Sequence, residues 1–214
     1  MSFLKSAIAA LALGATTLPA AALTVQFASP NWNYNNTSAS QQADWRVSID
    51  DNTAGKLTFR VGIDAGSSAI GDILGIGFNT SMTLGNFAFV SSSTGEGITG
   101  TYTNTRRCGG GCNFNGATST NFDYIVRAGD QGSSAGRITS FIFTADTADG
   151  LAADSFSRVG IRSQSLGAAP FGGGDSSKDI NSMPEISPVP LPAAIWLLGA
   201  GLGGLGFVGR KRRS

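Results

Sequence analysis

Lys56-Leu57-Thr58-Phe59-Arg60-Val61-Gly62-Ile63 decides the fold class. Leu57, Phe59, Val61 and Ile63 take every second position, and Lys56, Thr58, Arg60 and Gly62 take the others. Successive side chains of a strand point to opposite faces, so this stretch has one apolar and one polar face. Just upstream, Trp45-Arg46-Val47-Ser48-Ile49 alternates the same way. Asp50-Asp51-Asn52 and Gly55 lie between the two runs and supply a turn.

Outward from this hairpin the pattern recurs. Leu74, Ile76 and Phe78 alternate, then Phe87 and Phe89, and later Phe122 to Val126, Ile138 to Phe143 and Phe156 to Ile161. Leu23 to Phe27 and Ile98 to Thr103 bring the expectation to about nine strands. Asp64-Ala65-Gly66, Gly129-Asp130-Gln131-Gly132 and Asp149-Gly150 punctuate them. No segment between the two ends of the chain has a convincing helical period. Many short strands with Gly-rich turns predict an all-β fold, a single β-sandwich with a jelly-roll-like winding. The mixed faces of Ile138 to Phe143 predict a strand covered on both sides. Residues 23–166 are the expected sandwich, and residues 167–187, rich in Gly, Ser and Pro, are the expected flexible linker.

The two ends differ from the middle. Met1 to Ala22 carries one charge, Lys5, then an apolar stretch from Ala7 to Leu18. Ala20-Ala21-Ala22 supplies a small-residue cleavage site, so residues 1–22 read as a secretory signal peptide cut after Ala22. Its partners are the Sec translocon and signal peptidase. At the other end, Val189-Pro190-Leu191-Pro192-Ala193 opens a run without charge to Gly209, followed by Arg210-Lys211-Arg212-Arg213. The 21 uncharged positions suffice for a membrane helix, which needs roughly 20 residues. The basic cluster would hold that end in the cytoplasm and stop translocation. Residues 188–214 therefore read as a sorting tail, with its helix over residues 193–209. Gly201-Leu202-Gly203-Gly204-Leu205-Gly206 matches a dinucleotide fingerprint in letters only, since no acidic residue follows at the required distance.

This tail resembles the PEP-CTERM sorting signal in its Val-Pro-Leu-Pro-Ala form, with Val-Pro-Leu-Pro where the commonest form has Pro-Glu-Pro. The resemblance covers residues 189–214 and is nearly silent over the rest. It implies a Gram-negative bacterium that makes extracellular polysaccharide, and recognition by an exosortase that cuts at the Pro motif. It implies a path through the inner membrane to the cell surface or the biofilm matrix.

Composition excludes several functions. The chain has no His, so Ser-His-Asp triads, Cys-His dyads and His-ligated zinc are unavailable. Setting aside Lys5 and the basic cluster leaves ten of the fifteen Lys and Arg against all fourteen Asp and Glu, a net charge of −4. That disfavours nucleic acid, whose binding rests on phosphate neutralisation. Cys108 and Cys112 flank three glycines and are expected to form a small disulfide-closed loop in an exported protein. Asp50, Asp51, Asp64 and Asp72, with Asp44 nearby, gather around the early turns and are the candidate calcium ligands. Trp32 and Tyr34, set among asparagines in Asn31-Trp32-Asn33-Tyr34-Asn35-Asn36, are the candidate glycan contacts. The expectation is a non-enzymatic structural protein of the surface or matrix, with no cofactor. The alternative is a glycan-binding module, calcium-dependent or not, acting on the organism's own exopolysaccharide.

Overall fold

In the computed structural model the alternating run forms β4 (Lys56–Ile63), with Leu57, Phe59 and Val61 turned into the core. The structure describes residues 23–35, 38, 41–130, 136–152 and 154–188. The preceding run forms β3 (Trp45–Thr53), paired antiparallel to β4 through Val47↔Val61 and Ile49↔Phe59. Around this hairpin lie β1 (Leu23–Phe27), β2 (Trp32–Asn33), β5 (Ala69–Thr80), β6 (Gly85–Ser92), β7 (Ile98–Thr105), β8 (Phe122–Ala128), β9 (Ser140–Asp146), β10 (Phe156–Ala168), β11 (Asp175–Asn181) and β12 (Glu185–Pro188). All pairings are antiparallel, in two six-stranded sheets, β12-β1-β3-β4-β9-β6 and β2-β11-β10-β5-β8-β7. The protein is an all-β, two-sheet structure of β-sandwich type.

Between the sheets lies a core rich in phenylalanine. Phe59 stacks on Phe143 at 4.6 Å and on Phe78 at 5.0 Å, and Phe156 meets it edge-on at 5.8 Å. Phe59 and Phe143 come from one sheet, Phe78 and Phe156 from the other. Burying one such ring fully is worth about 1.5–3 kcal/mol, so this cluster clamps the sheets together.

A second, smaller core sits on the outer face of β5, β8, β10 and β11. Leu74, Cys108, Cys112, Phe114, Phe122, Ile125 and Ile180 form it, beneath the loop joining β7 to β8. Cys108 and Cys112 are disulfide-bonded, with Cα atoms 5.0 Å apart. Gly75 makes room for them, since a Cβ there would fall 2.6 Å from the Cys112 sulfur. Gly160 makes room for Phe122 in the same way, at 2.6 Å. Arg162, buried under this loop, donates to the carbonyls of Ser163 and Ser177 and, at 3.4 Å, to that of Gly111. Burial lowers its pKa.

Two expectations are corrected. Residues 167–187 are not a linker: β10 runs to Ala168, and β11 and β12 are strands of the two sheets. Gly167 and Gly173 pack backbone to backbone there, with no space for side chains. The strand covered on both sides is β5, not Ile138 to Phe143, because the disulfide loop lies over β5's outer face. In β9, Phe141, Phe143 and Ala145 are buried and the alternate residues are not.

Candidate functional site

The structure separates the residues singled out by sequence. Trp32 is in the core at 5% exposure, its indole Nε1 donating 2.7 Å to the carbonyl of Trp45. Trp45 donates in turn to Asp179 Oδ2 at 2.8 Å. Tyr34 is half-buried against the same core, and that burial raises the pKa of its hydroxyl. Trp32 therefore closes one side of the sandwich rather than presenting a face to a sugar. The reason is β2: pairing of Trp32 with Asn181 of β11 turns the indole inward.

The carboxylates do not converge. Asp50 is buried, paired with Arg60 and accepting 2.7 Å from Asn52 Nδ2. Asp51 accepts from the Leu23 amide at 2.9 Å. Asp64 takes a two-pronged contact from Arg46, at 2.7 and 3.0 Å. Asp72 accepts from the Ile138 amide and from Gln164 Nε2, both at 2.8 Å. Among the described residues no three His, Cys, Asp or Glu side chains are placed to hold a metal ion. Each aspartate serves its own turn or strand, which corrects the expectation of a shared calcium site.

Among the described residues two buried carboxylates, Asp72 and Asp179, have no ion-pair contact with a cation. Asp179, fully buried, accepts from Trp45, from the Ser177 hydroxyl and, at 3.2 Å, from the Asn35 amide. Burial raises the pKa of Asp179 and of Asp72, against the lowering effect of their hydrogen bonds. Their hydrogen bonds tie strand to strand: Asp179 joins β11 to β3 through Trp45, and Asp72 joins β5 to β10 through Gln164. Asp179 was hidden in sequence because it sits in the polar stretch taken for a linker.

An open groove lies where the ends of β5, β8 and β10 meet. It holds about 560 Å³ and is lined by Asn79, Thr120, Asn121, Asp123, Asp154 and Ser157 around Arg158. The Arg158 guanidinium lies over the Phe122 ring, 4.5 Å from its centroid. It donates to Asn79 Oδ1 at 2.8 and 2.6 Å, to Thr118 and Thr120 hydroxyls at 2.8 and 2.5 Å, and to the Asn121 carbonyl at 2.8 Å. All of its nitrogens are thus engaged, and burial lowers its pKa. Arg158 acts as a strut that fixes the groove, whose rim offers amides, hydroxyls and carboxylate oxygens. Such a wall suits the hydroxyls of a neutral polyol. Phe122 beneath Arg158 is fully buried, so its ring offers no face to the groove. Sequence reasoning missed this groove because its residues come from four separate segments.

At one edge of the other sheet, β12 pairs with β1 through Leu23↔Pro188, Thr24↔Ser187, Val25↔Ile186 and Gln26↔Glu185. The residue following the expected signal cleavage and the residue preceding the sorting motif are thus direct partners. Ala20, Ala22, Val189 to Ala193 and Arg210 to Arg213 lie outside the described residues. Among the described residues no helix is long and apolar enough to cross a membrane. Compared with known protein families, curated proteins and solved structures, the chain matches none.

Proposed function

We propose that this chain is an exported structural protein of the cell surface or extracellular matrix, carrying one jelly-roll-like sandwich between a signal peptide and an exosortase-processed sorting tail. The observation that carries it is the sequence of the tail: Pro motif, uncharged span and basic cluster in order. The pairing of Leu23 with Pro188 is compatible with the partition, because it brings the two residues that flank the proposed addresses side by side in one sheet. The jelly-roll-like winding is supported by the connections. Only β3–β4, β7–β8 and β10–β11 stay within a sheet, and every other step crosses between sheets. The proposed destination is the surface or biofilm matrix of a Gram-negative bacterium, with the inner membrane as an intermediate stop. The proposed role is non-enzymatic and needs no cofactor.

The test is the mass of the mature protein from the native host, with both termini mapped. A chain that starts near Leu23 and ends near Val-Pro-Leu-Pro is the expected result. An intact Arg210–Arg213 end would defeat the sorting assignment, as would normal processing after Pro190 and Pro192 are both replaced by Ala.

The groove around Arg158 favours a second reading, a glycan-binding module for the host's exopolysaccharide. The groove replaces Trp32 and Tyr34 as its site, and among the described residues no three acidic side chains gather to hold calcium. Titration calorimetry with host polysaccharide should then detect binding that Asp154→Ala with Ser157→Ala abolishes. A blank titration of the wild type would remove this reading.

A further inference from the structure

We propose that β12 has two roles: it is a sheet strand in the folded domain and the extended segment that the processing enzyme takes up. The proposal rests on the sorting-tail reading above and adds the requirement that β12 leave β1 before the tail is cut.

Three observations carry it. First, Val189 follows Pro188 directly, so no spacer separates the last strand from the motif. An enzyme that grips even the residues immediately upstream of a cut at the motif must grip residues of β12. Extended peptides are commonly held by main-chain hydrogen bonds in a strand-like groove. The polar groups such a groove would use on one side of β12 are the ones β1 occupies.

Second, β12 is built to come away. Among the described residues it is the outermost strand of its sheet and pairs with β1 alone. Glu185, Ile186 and Ser187 are all exposed, and Ile186 keeps 47% of its surface in water although its register partner Val25 keeps none. Strands with little buried apolar surface open locally without unfolding the rest. Among the described residues its start is held by a side-chain hydrogen bond from Asn31 Nδ2 to Glu185 Oε1 at 3.3 Å and by the attraction of Arg46 for the same carboxylate.

Third, β1 does not depend on β12. Its other edge is paired with β3 from Thr24↔Asp50 to Phe27↔Val47, and Val25 and Phe27 are fully buried. Release of β12 leaves the core intact.

The test is a reversible lock. Thr24 and Ser187 face each other on the solvent side of the β1–β12 pair, so Thr24→Cys with Ser187→Cys joins the strands in the oxidising export compartment. In the full chain, expressed in the native host, the double variant is expected to lose processing and retain Arg210–Arg213, while each single variant is processed as wild type. A flexible Gly/Ser spacer of about six residues inserted between Pro188 and Val189 should restore processing of the locked chain. Equal processing of locked and wild-type chains would overturn the proposal and leave the tail assignment standing. A locked chain that stays unprocessed despite the spacer would also overturn it, since the lock would then act by misfolding. If no variant and no wild type is processed, the tail assignment falls and the proposal with it.

Discussion

β4 turns Leu57, Phe59 and Val61 into the sandwich, whereas β11 turns Ser177, Asp179 and Asn181 inward, and all six are buried. Both strands obey the same two-residue period. The β4 side is held by apolar contact, with rings from both sheets stacked on Phe59. The β11 side is held by directed hydrogen bonds: Trp45 to Asp179, and Asn181 to the carbonyl of Ala28 at 3.2 Å. The apolar side tolerates changes of pH and depends on volume. The polar side depends on each partner being present and on the charge of one buried carboxylate.

The largest effect should fall on the apolar side. Phe59→Ala removes the ring common to three aromatic contacts and should cost about 3–5 kcal/mol, read by urea unfolding of the purified 23–188 domain. A loss below about 1 kcal/mol would mean that the stacked rings are not the clamp between sheets.

Next comes the outer core. Gly75→Ala places a methyl group 2.6 Å from the Cys112 sulfur, where a disulfide cannot yield as a flexible chain end would. Overpacking of this kind costs about 1–3 kcal/mol. Gly66→Ala, where nothing lies within 4 Å, is the matched control and should be close to neutral. Equal unfolding midpoints for the two variants would show that the disulfide loop is not seated on β5.

The polar side makes a prediction of sign. The carboxyl pKa of Asp179 is raised in the folded state above its ordinary 3.8. The folded state therefore holds a proton that the unfolded state releases first. That contribution to stability is full below the unfolded pKa and is lost as pH rises through the folded one. Asp179→Asn cannot titrate, so its stability should fall less than that of wild type as pH climbs from about 4. Parallel pH profiles would show that Asp179 is solvated or paired in solution.

The same comparison explains what could be read in advance. β3 and β4 were legible because their inward residues are apolar, and period-2 apolarity is the strand signal. β11 was not, because Ser177, Asp179 and Asn181 carry the inward period in polar side chains and Ile180 stands alone on the outer face. β2 was missed because two residues are too short to show a period. The double cover of β5 was hidden by Gly71, Gly75 and Gly77, which let the loop and its neighbours approach by having no side chain. Trp32 read as a surface aromatic because asparagines surround it, yet only Nε1 needs a partner, and Trp45 supplies it.

The smallest effect should be at β12, between the two extremes. Ile186 and Val25 are directly opposed, so they share one face of the sheet, but only Val25 is sealed from water. Ile186→Ala removes a side chain already 47% exposed and should shift stability by less than about 0.5 kcal/mol. Amide hydrogen exchange should likewise show β12 opening far more readily than β3, which lies on β1's other side. A cost above about 2 kcal/mol would place Ile186 with the core residues. β12 would then be a structural strand like β4, held by burial, and it could not be surrendered to an enzyme while the domain stayed folded.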